Sequence, residues 1–223
     1  EHGAKQAALA VNSASFDARH SHQMVSFNGR LWIVGGKHGN TLKNDVWASS
    51  DGAVWFQQAA NAAFAARTHH QVVVFNNQLW LIGGTDGTNR NDDVWSSEDG
   101  ITWTEHVALN PKFSARTEHQ VTVFNNQMWL IGGNDGSLKD DVWSSSDGVE
   151  WTEQGTSEAK FSARRKHQVA AFNNQLWLIG GNDGANRNDV WSSSDGIDWT
   201  EQVTPNTKFA PRTDYQVEAM DGR

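Results

Sequence analysis

Apolar and polar positions alternate in short runs along this chain, and each run is cut by Asn or Gly rather than continued at helical spacing. Gln120-Val121-Thr122-Val123-Phe124 reads as a strand, Asn125-Asn126 as a two-residue turn, and Gln127-Met128-Trp129-Leu130-Ile131 as the returning strand. Asn tolerates the positive φ that a type I′ hairpin needs at both central positions, and the first such turn uses the stronger pair Asn28-Gly29. After Gly132-Gly133 comes a polar loop, then a third strand around Asp141-Val142-Trp143-Ser144. A turn at Ser146-Asp147-Gly148 leads to a fourth strand from Trp151 to Gln154. The Ala-rich start, Ala4 to Ala10, is the one stretch with helical character. The pattern predicts an all-β chain whose unit is a four-stranded antiparallel sheet.

That unit repeats. Phe16, Phe64, Phe113, Phe161 and Phe209 each open the run Phe-x-x-Arg-x-x-His/Tyr-Gln, at spacings of 48, 49, 48 and 48 residues. The repeats span 16–63, 64–112, 113–160 and 161–208. Residues 209–223 supply a fifth first strand (Phe209 to Met220), and residues 1–15 form a segment read as the outer strand of an incomplete blade. The twelve Trp fall three to a unit. One such sheet cannot bury aromatics on both faces alone, so neighbouring sheets must stack and close radially into a propeller.

At this point the sequence resembles the kelch-repeat family. The resemblance rests on the period, on Gly-Gly after an apolar strand (Gly35-Gly36, Gly83-Gly84, Gly132-Gly133, Gly180-Gly181) and on the Asp-Val-Trp that follows. It also rests on a second Trp eight residues later and on the Arg-x-x-His of the next unit. It implies a kelch-type β-propeller of four complete repeats plus partial ones. Trp47, Trp95, Trp143 and Trp191 depart from the Tyr that the family commonly carries on the third strand. The chain stops on a hairpin turn, Asp221-Gly222-Arg223, which reads as a piece of a larger propeller. Two alternatives stand beside it: a homo-oligomer completing blades between chains, and a five-bladed ring with an incomplete last blade.

Composition removes several function classes. With 18 Lys plus Arg against 26 Asp plus Glu, the net charge of −8 gives no pull toward a phosphate backbone, so nucleic acid is not an expected partner. No apolar run approaches the ~18 residues of a membrane helix, so no membrane insertion is expected. The absence of Cys excludes a disulfide framework, thiolate metal sites and a cysteine nucleophile. An acidic, Asn-rich, Cys-free chain fits a secreted or cell-surface bacterial setting, and a cytoplasmic one is equally open to it.

In such a blade the links between strands one and two and between three and four share one face of the disc, and these are nearly identical in every unit. The other face carries the Gly-Gly loops and the Arg-x-x-His segments, and there the units differ. The divergent positions are His20 and Ser21, Thr68 and His69, Thr117 and Glu118, Arg165 and Lys166, and Thr213 and Asp214, with His38, Arg90, Lys139 and Arg187 on the loops. Loops on a rigid scaffold concentrate binding, so these residues are the predicted ligand site, for a protein or peptide partner or alternatively a glycan. Solvated turns drifting freely would leave the same pattern.

Other repeated residues read as scaffold. His22, His70, His119 and His167 would stand a blade spacing of ~10 Å apart, too far to share a metal. Arg19, Arg67, Arg116, Arg164 and Arg212 are expected to bond carbonyls of the neighbouring blade. The acidic loop from Asp135 to Asp141 is His38 in the first unit and does not match a calcium loop. The Trp are expected to fill the gaps between sheets. No Gly-x-Ser-x-Gly, Walker loop or His-Glu-x-x-His is present, and a lone Tyr215 with no Cys excludes chemistry of the galactose oxidase type. The expected function is a non-catalytic binding scaffold without metal or cofactor. A lectin-like protein or small-sugar epimerase is the alternative.

Overall fold

A computed structural model describes residues 15–110, 112–155, 160–203 and 209–217. The helix expected over Ala4 to Ala10 lies outside these residues, as does nearly all of the segment 1–15. Among the described residues, sixteen strands form four antiparallel sheets, each in sequence order. The first holds β1 (Gln23–Phe27), β2 (Arg30–His38), β3 (Thr41–Ser49) and β4 (Phe56–Ala59); the second β5 (Gln71–Phe75), β6 (Gln78–Thr85), β7 (Arg90–Ser97) and β8 (Thr104–His106). The third holds β9 (Gln120–Phe124), β10 (Gln127–Asn134), β11 (Leu138–Ser145) and β12 (Thr152–Glu153); the fourth β13 (Gln168–Phe172), β14 (Gln175–Asn182), β15 (Asn186–Ser193) and β16 (Thr200–Glu201). The innermost strands pack side by side in the order β1, β5, β9, β13. No helix of the described residues is long and apolar enough to cross a membrane.

The hairpin turns take the left-handed conformation that the Asn pairs allow, with φ of 49° and 56° at Asn125 and Asn126. The second and third strands run further than the alternation predicts. β10 continues through Gly132-Gly133 to Asn134, because the register shifts between Ile131 and Gly133 and pairing resumes at Gly133 with Lys139. The outer strand is shorter, Thr152–Glu153 instead of Trp151 to Gln154. Residues 209–217 form no strand; they run against the fourth sheet, and no second strand pairs with them among the described residues.

The Gly pair is required because it threads between two rings. A Cβ on Gly133 would come within 2.7 Å of His119 Cβ in its own blade, and one on Gly132 within 3.0 Å of His167 Cε1 in the next. The same contacts recur at Gly35-Gly36 and Gly83-Gly84. His70, His119 and His167 are therefore fully buried in the seams, where desolvation pushes each imidazole down to about 3. His70 Nε2 donates to the Val34 carbonyl of the preceding blade at 3.2 Å. Tyr215 takes the same role in the fifth unit, donating to Ile179 O, and burial pushes its phenol up to about 12.

The repeated Arg corrects an expectation. Its guanidinium bonds its own blade, not the neighbour: Arg116 donates to Gly132 O at 2.9 Å and makes a two-pronged pair with Asp141 at 2.6 and 2.7 Å. Its main chain reaches the preceding blade instead, where Gly84 N donates to Arg116 O and Arg116 N donates to Asn91 O. Arg19, Arg67 and Arg164 pair in the same way with Asp45, Asp93 and Asp189. Burial opposes the charge of Asp93, yet the Arg67 and Trp95 N–H bonds outweigh it and hold the carboxyl below its ordinary value. One residue thus ties two blades, by side chain on one side and backbone on the other.

Three apolar seams join the four blades, as the stacking argument predicts. The middle one packs Phe75, Trp80, Ile82 and Val94 of the second blade on Phe113, Val121, Met128, Leu130 and Trp151 of the third. Each blade's three Trp N–H groups have carbonyl or carboxylate partners, for example Trp129 to Phe124 O, Trp143 to Asp141 and Trp151 to Gly148 O. The turn glycines close the seam. A Cβ on Gly148 (φ +85°) would lie 2.4 Å from the Trp80 ring, whereas one on the equivalent Gly52 (φ +75°) meets only Leu31, at 3.6 Å. Gly52→Ala is thus expected to cost about 1–2 kcal/mol of backbone strain, and Gly148→Ala about 1–3 kcal/mol more for the overlap. Urea unfolding of the two variants measures the difference, and equal losses would remove the indole contact from the account.

At the two ends of the arc the matching faces lie open. Phe172 is 45% exposed on the fourth blade where Phe124 is 6% exposed on the third, and Met24 is 59% exposed on the first where Val72 is 5% exposed on the second. A homo-oligomer completing blades between chains would have to rely on these two faces.

Candidate functional site

The segments that lead into β1, β5, β9 and β13, together with residues 214–216, converge on a cavity of about 660 Å³. Each unit supplies one residue to its rim: Ser21, His69, Glu118, Lys166 and Asp214. All five adopt the left-handed conformation, with φ between 53° and 57°. The cause is local. In the four complete units the residue just before pairs with the end of the second strand of its own blade, as Thr117 does with Asn134 through two backbone bonds of 3.0 and 2.9 Å. The next residue must then turn the chain sharply into the innermost strand, and its side chain is left facing the axis.

The rim has two chemical halves. On one, Arg165 donates to Glu118 at 3.0 Å, Lys166 Nζ lies 3.7 Å from Glu118 and 3.0 Å from Asp214, and Thr213 donates to Asp214 at 3.1 Å. Two cations and two carboxylates alternate there, so the field is balanced. On the other half, Ser21 Oγ bonds His69 Nε2 at 3.2 Å and His20 Nδ1 at 3.1 Å, and His69 Nδ1 meets Thr68 Oγ1. Burial lowers the His69 imidazole, with the Glu118 charge working against it, which leaves His69 neutral near pH 7.

Of the predicted site residues, the structure thus brings His20, Ser21, His69, Glu118, Lys166 and Asp214 to one cavity, with Arg165 and Thr213 bonded to its rim. Thr68 and Thr117 are buried behind it in the strand-end pairing. His38, Arg90, Lys139 and Arg187 are not part of it. Because the second strand continues past Gly-Gly, it carries these loops away from the axis. His38 bonds Ala18 O, Arg90 reaches Asn134 Oδ1 at 3.5 Å, and Lys139 and Arg187 pair with Asp135 and Asp183 four residues earlier. Arg187 holds Asp183 well below the usual carboxylate range. The acidic loop considered for calcium is occupied in the same way: Asp135 by Lys139, Ser114 and Ser137, Asp140 by Lys160, and Asp141 by Arg116.

Sequence reasoning missed one tier of the cavity wall. Gln23, Gln71, Gln120, Gln168 and Gln216 stand two residues beyond the rim positions, ~6–7 Å along an extended chain, and all five line the cavity. They are identical in every unit, and that identity reads as scaffold. The signal was there in the chemistry, since Gln23, Gln71, Gln120 and Gln168 each put a carboxamide at the head of the strand nearest the axis. Trp is absent from the cavity lining.

A family model described as the KLHDC2/KLHL20/DRC7 Kelch-repeats domain matches residues 5–181. No curated protein matches the chain.

Proposed function

The chain belongs to the Kelch-repeats family, whose domains are generally non-catalytic protein-interaction scaffolds, and from that premise we propose that it binds a partner protein at the cavity rim. One observation carries this reading. The blades repeat one strand pattern and its turn, Gly-Gly and Arg–Asp positions, but the five residues that converge on the cavity are all of different types: Ser21, His69, Glu118, Lys166 and Asp214. Such a surface is complementary to a polar peptide loop of one particular charge order, and its volume falls within the ~300–1,000 Å³ of ordinary ligand clefts. The carbohydrate alternative asks for an exposed aromatic platform; no Trp lines the cavity, and Tyr215, which does, is half-buried with its hydroxyl donating to Ile179 O, which favours a peptide.

Selection of short random peptides on the purified protein tests the reading. The selected sequences are expected to converge on one charge pattern and to lose about tenfold in affinity, ~1.4 kcal/mol, when Lys166 is replaced by Ala. Peptides that ignore Lys166→Ala, with sugars binding instead, would overturn it.

A further inference from the structure

We propose that the five carboxamides of Gln23, Gln71, Gln120, Gln168 and Gln216 form a second subsite, below the rim, that holds the main chain of an extended peptide. The inference rests on the protein-binding reading and adds what the deeper part of the cavity recognises. All five side chains line the cavity, one from each unit. None of them bonds another group among the described residues. Other glutamines of the chain do: Gln154 and Gln202 donate to Ser144 and Ser192 at 3.0 Å, and Gln78 donates to Glu98 at 3.1 Å.

A carboxamide offers two N–H donors and one carbonyl acceptor on a neutral group. A peptide main chain presents the complementary pair at every residue, also without charge. A collar of amides therefore bonds an extended backbone whichever side chains it carries, and burial of the pair costs no ionic desolvation. A free carboxylate is a poorer match. The nearest cations, Arg165 and Lys166, are already engaged by Glu118 and Asp214, and no further Lys or Arg lines the cavity among the described residues. The division of labour follows: the rim reads charge order and the collar reads backbone.

The test begins with a peptide selected on the 223-residue protein. Synthetic copies in which single backbone amides are replaced by esters remove one N–H donor at a time and leave every side chain in place. At least one interior ester is expected to weaken binding to the unaltered protein by about tenfold. The paired variant Gln71→Met, Gln120→Met should lose at least as much for the parent peptide, with its melting temperature unchanged because both positions are half-buried and bond no neighbour. Full affinity for every ester and for the paired variant, with binding still lost in Lys166→Ala, would overturn the collar and leave rim binding standing. Failure to select any peptide would overturn both.

Discussion

Moving the protein from pH 7.5 to pH 5.0 is expected to strip about 6 kcal/mol from its folding stability, a large share of the ~5–15 kcal/mol of an ordinary domain. The cause is the imidazole buried in each seam. His70, His119 and His167 have no solvent exposure, and burial lowers each from 6.5 to about 3. Below pH 6.5 the unfolded chain takes up protons that the folded chain refuses. Stability therefore rises with pH across that window and is lost as the pH falls, by about 2 kcal/mol per histidine at pH 5. The carboxylates paired with arginine do not offset this: Asp45, Asp93 and Asp189 sit below their ordinary value and stay charged throughout. Urea midpoints at the two pH values measure the effect. His119→Asn should remove about a third of the pH slope, and equal midpoints at both pH values would sink the explanation.

Arg116→Met is expected to cost about 3–5 kcal/mol at neutral pH, because it leaves the Asp141 charge without its partner. The Arg116 side chain is 1% exposed and Asp141 16%. Every direction in which the guanidinium donates is filled: Ser114 O from Nε, Gly132 O and Asp141 from Nη1, and Ser114 Oγ and Asp141 from Nη2. Replacing both partners should hurt less than replacing Arg116 alone. Arg116→Met with Asp141→Leu removes the stranded charge, although Trp143 Nε1 then loses its 2.9 Å acceptor. A double-mutant cycle in urea separates the two costs. A single variant no weaker than the double would show that the pair is not the joint between strands that its geometry describes.

The sequence was most legible where local chemistry acts alone. The hairpins are set by Asn-Asn, Asn-Gly and period-two alternation, so β9 and the first five residues of β10 stand where the pattern puts them. The Gly-Gly pair was legible as a motif but not as a mechanism. Only in three dimensions does it lie between two histidines of successive blades, His119 and His167 in the case of Gly132-Gly133, and only there does the resulting bulge lengthen the second strand. The Arg–Asp pair, 25 residues apart in the third blade, was hidden for the same reason. Of the candidate site, the rim was visible because its residues diverge between otherwise similar units. The glutamine tier was not, since a residue repeated in every blade is indistinguishable from scaffold until its side chain is found without a partner.

The left-handed turn at each rim position also sets an alphabet. A branched Cβ at φ near +55° collides with its own backbone, so Val, Ile and Thr are barred from all five positions, while Ser, His, Glu, Lys, Asp and Asn are admitted at modest cost. Substitution here can therefore rewrite the sign and order of charges around the axis and leave the fold unchanged. A surface spelled only in such letters changes partners by exchanging polar words, and its specificity is bound to show in the dependence of binding on salt.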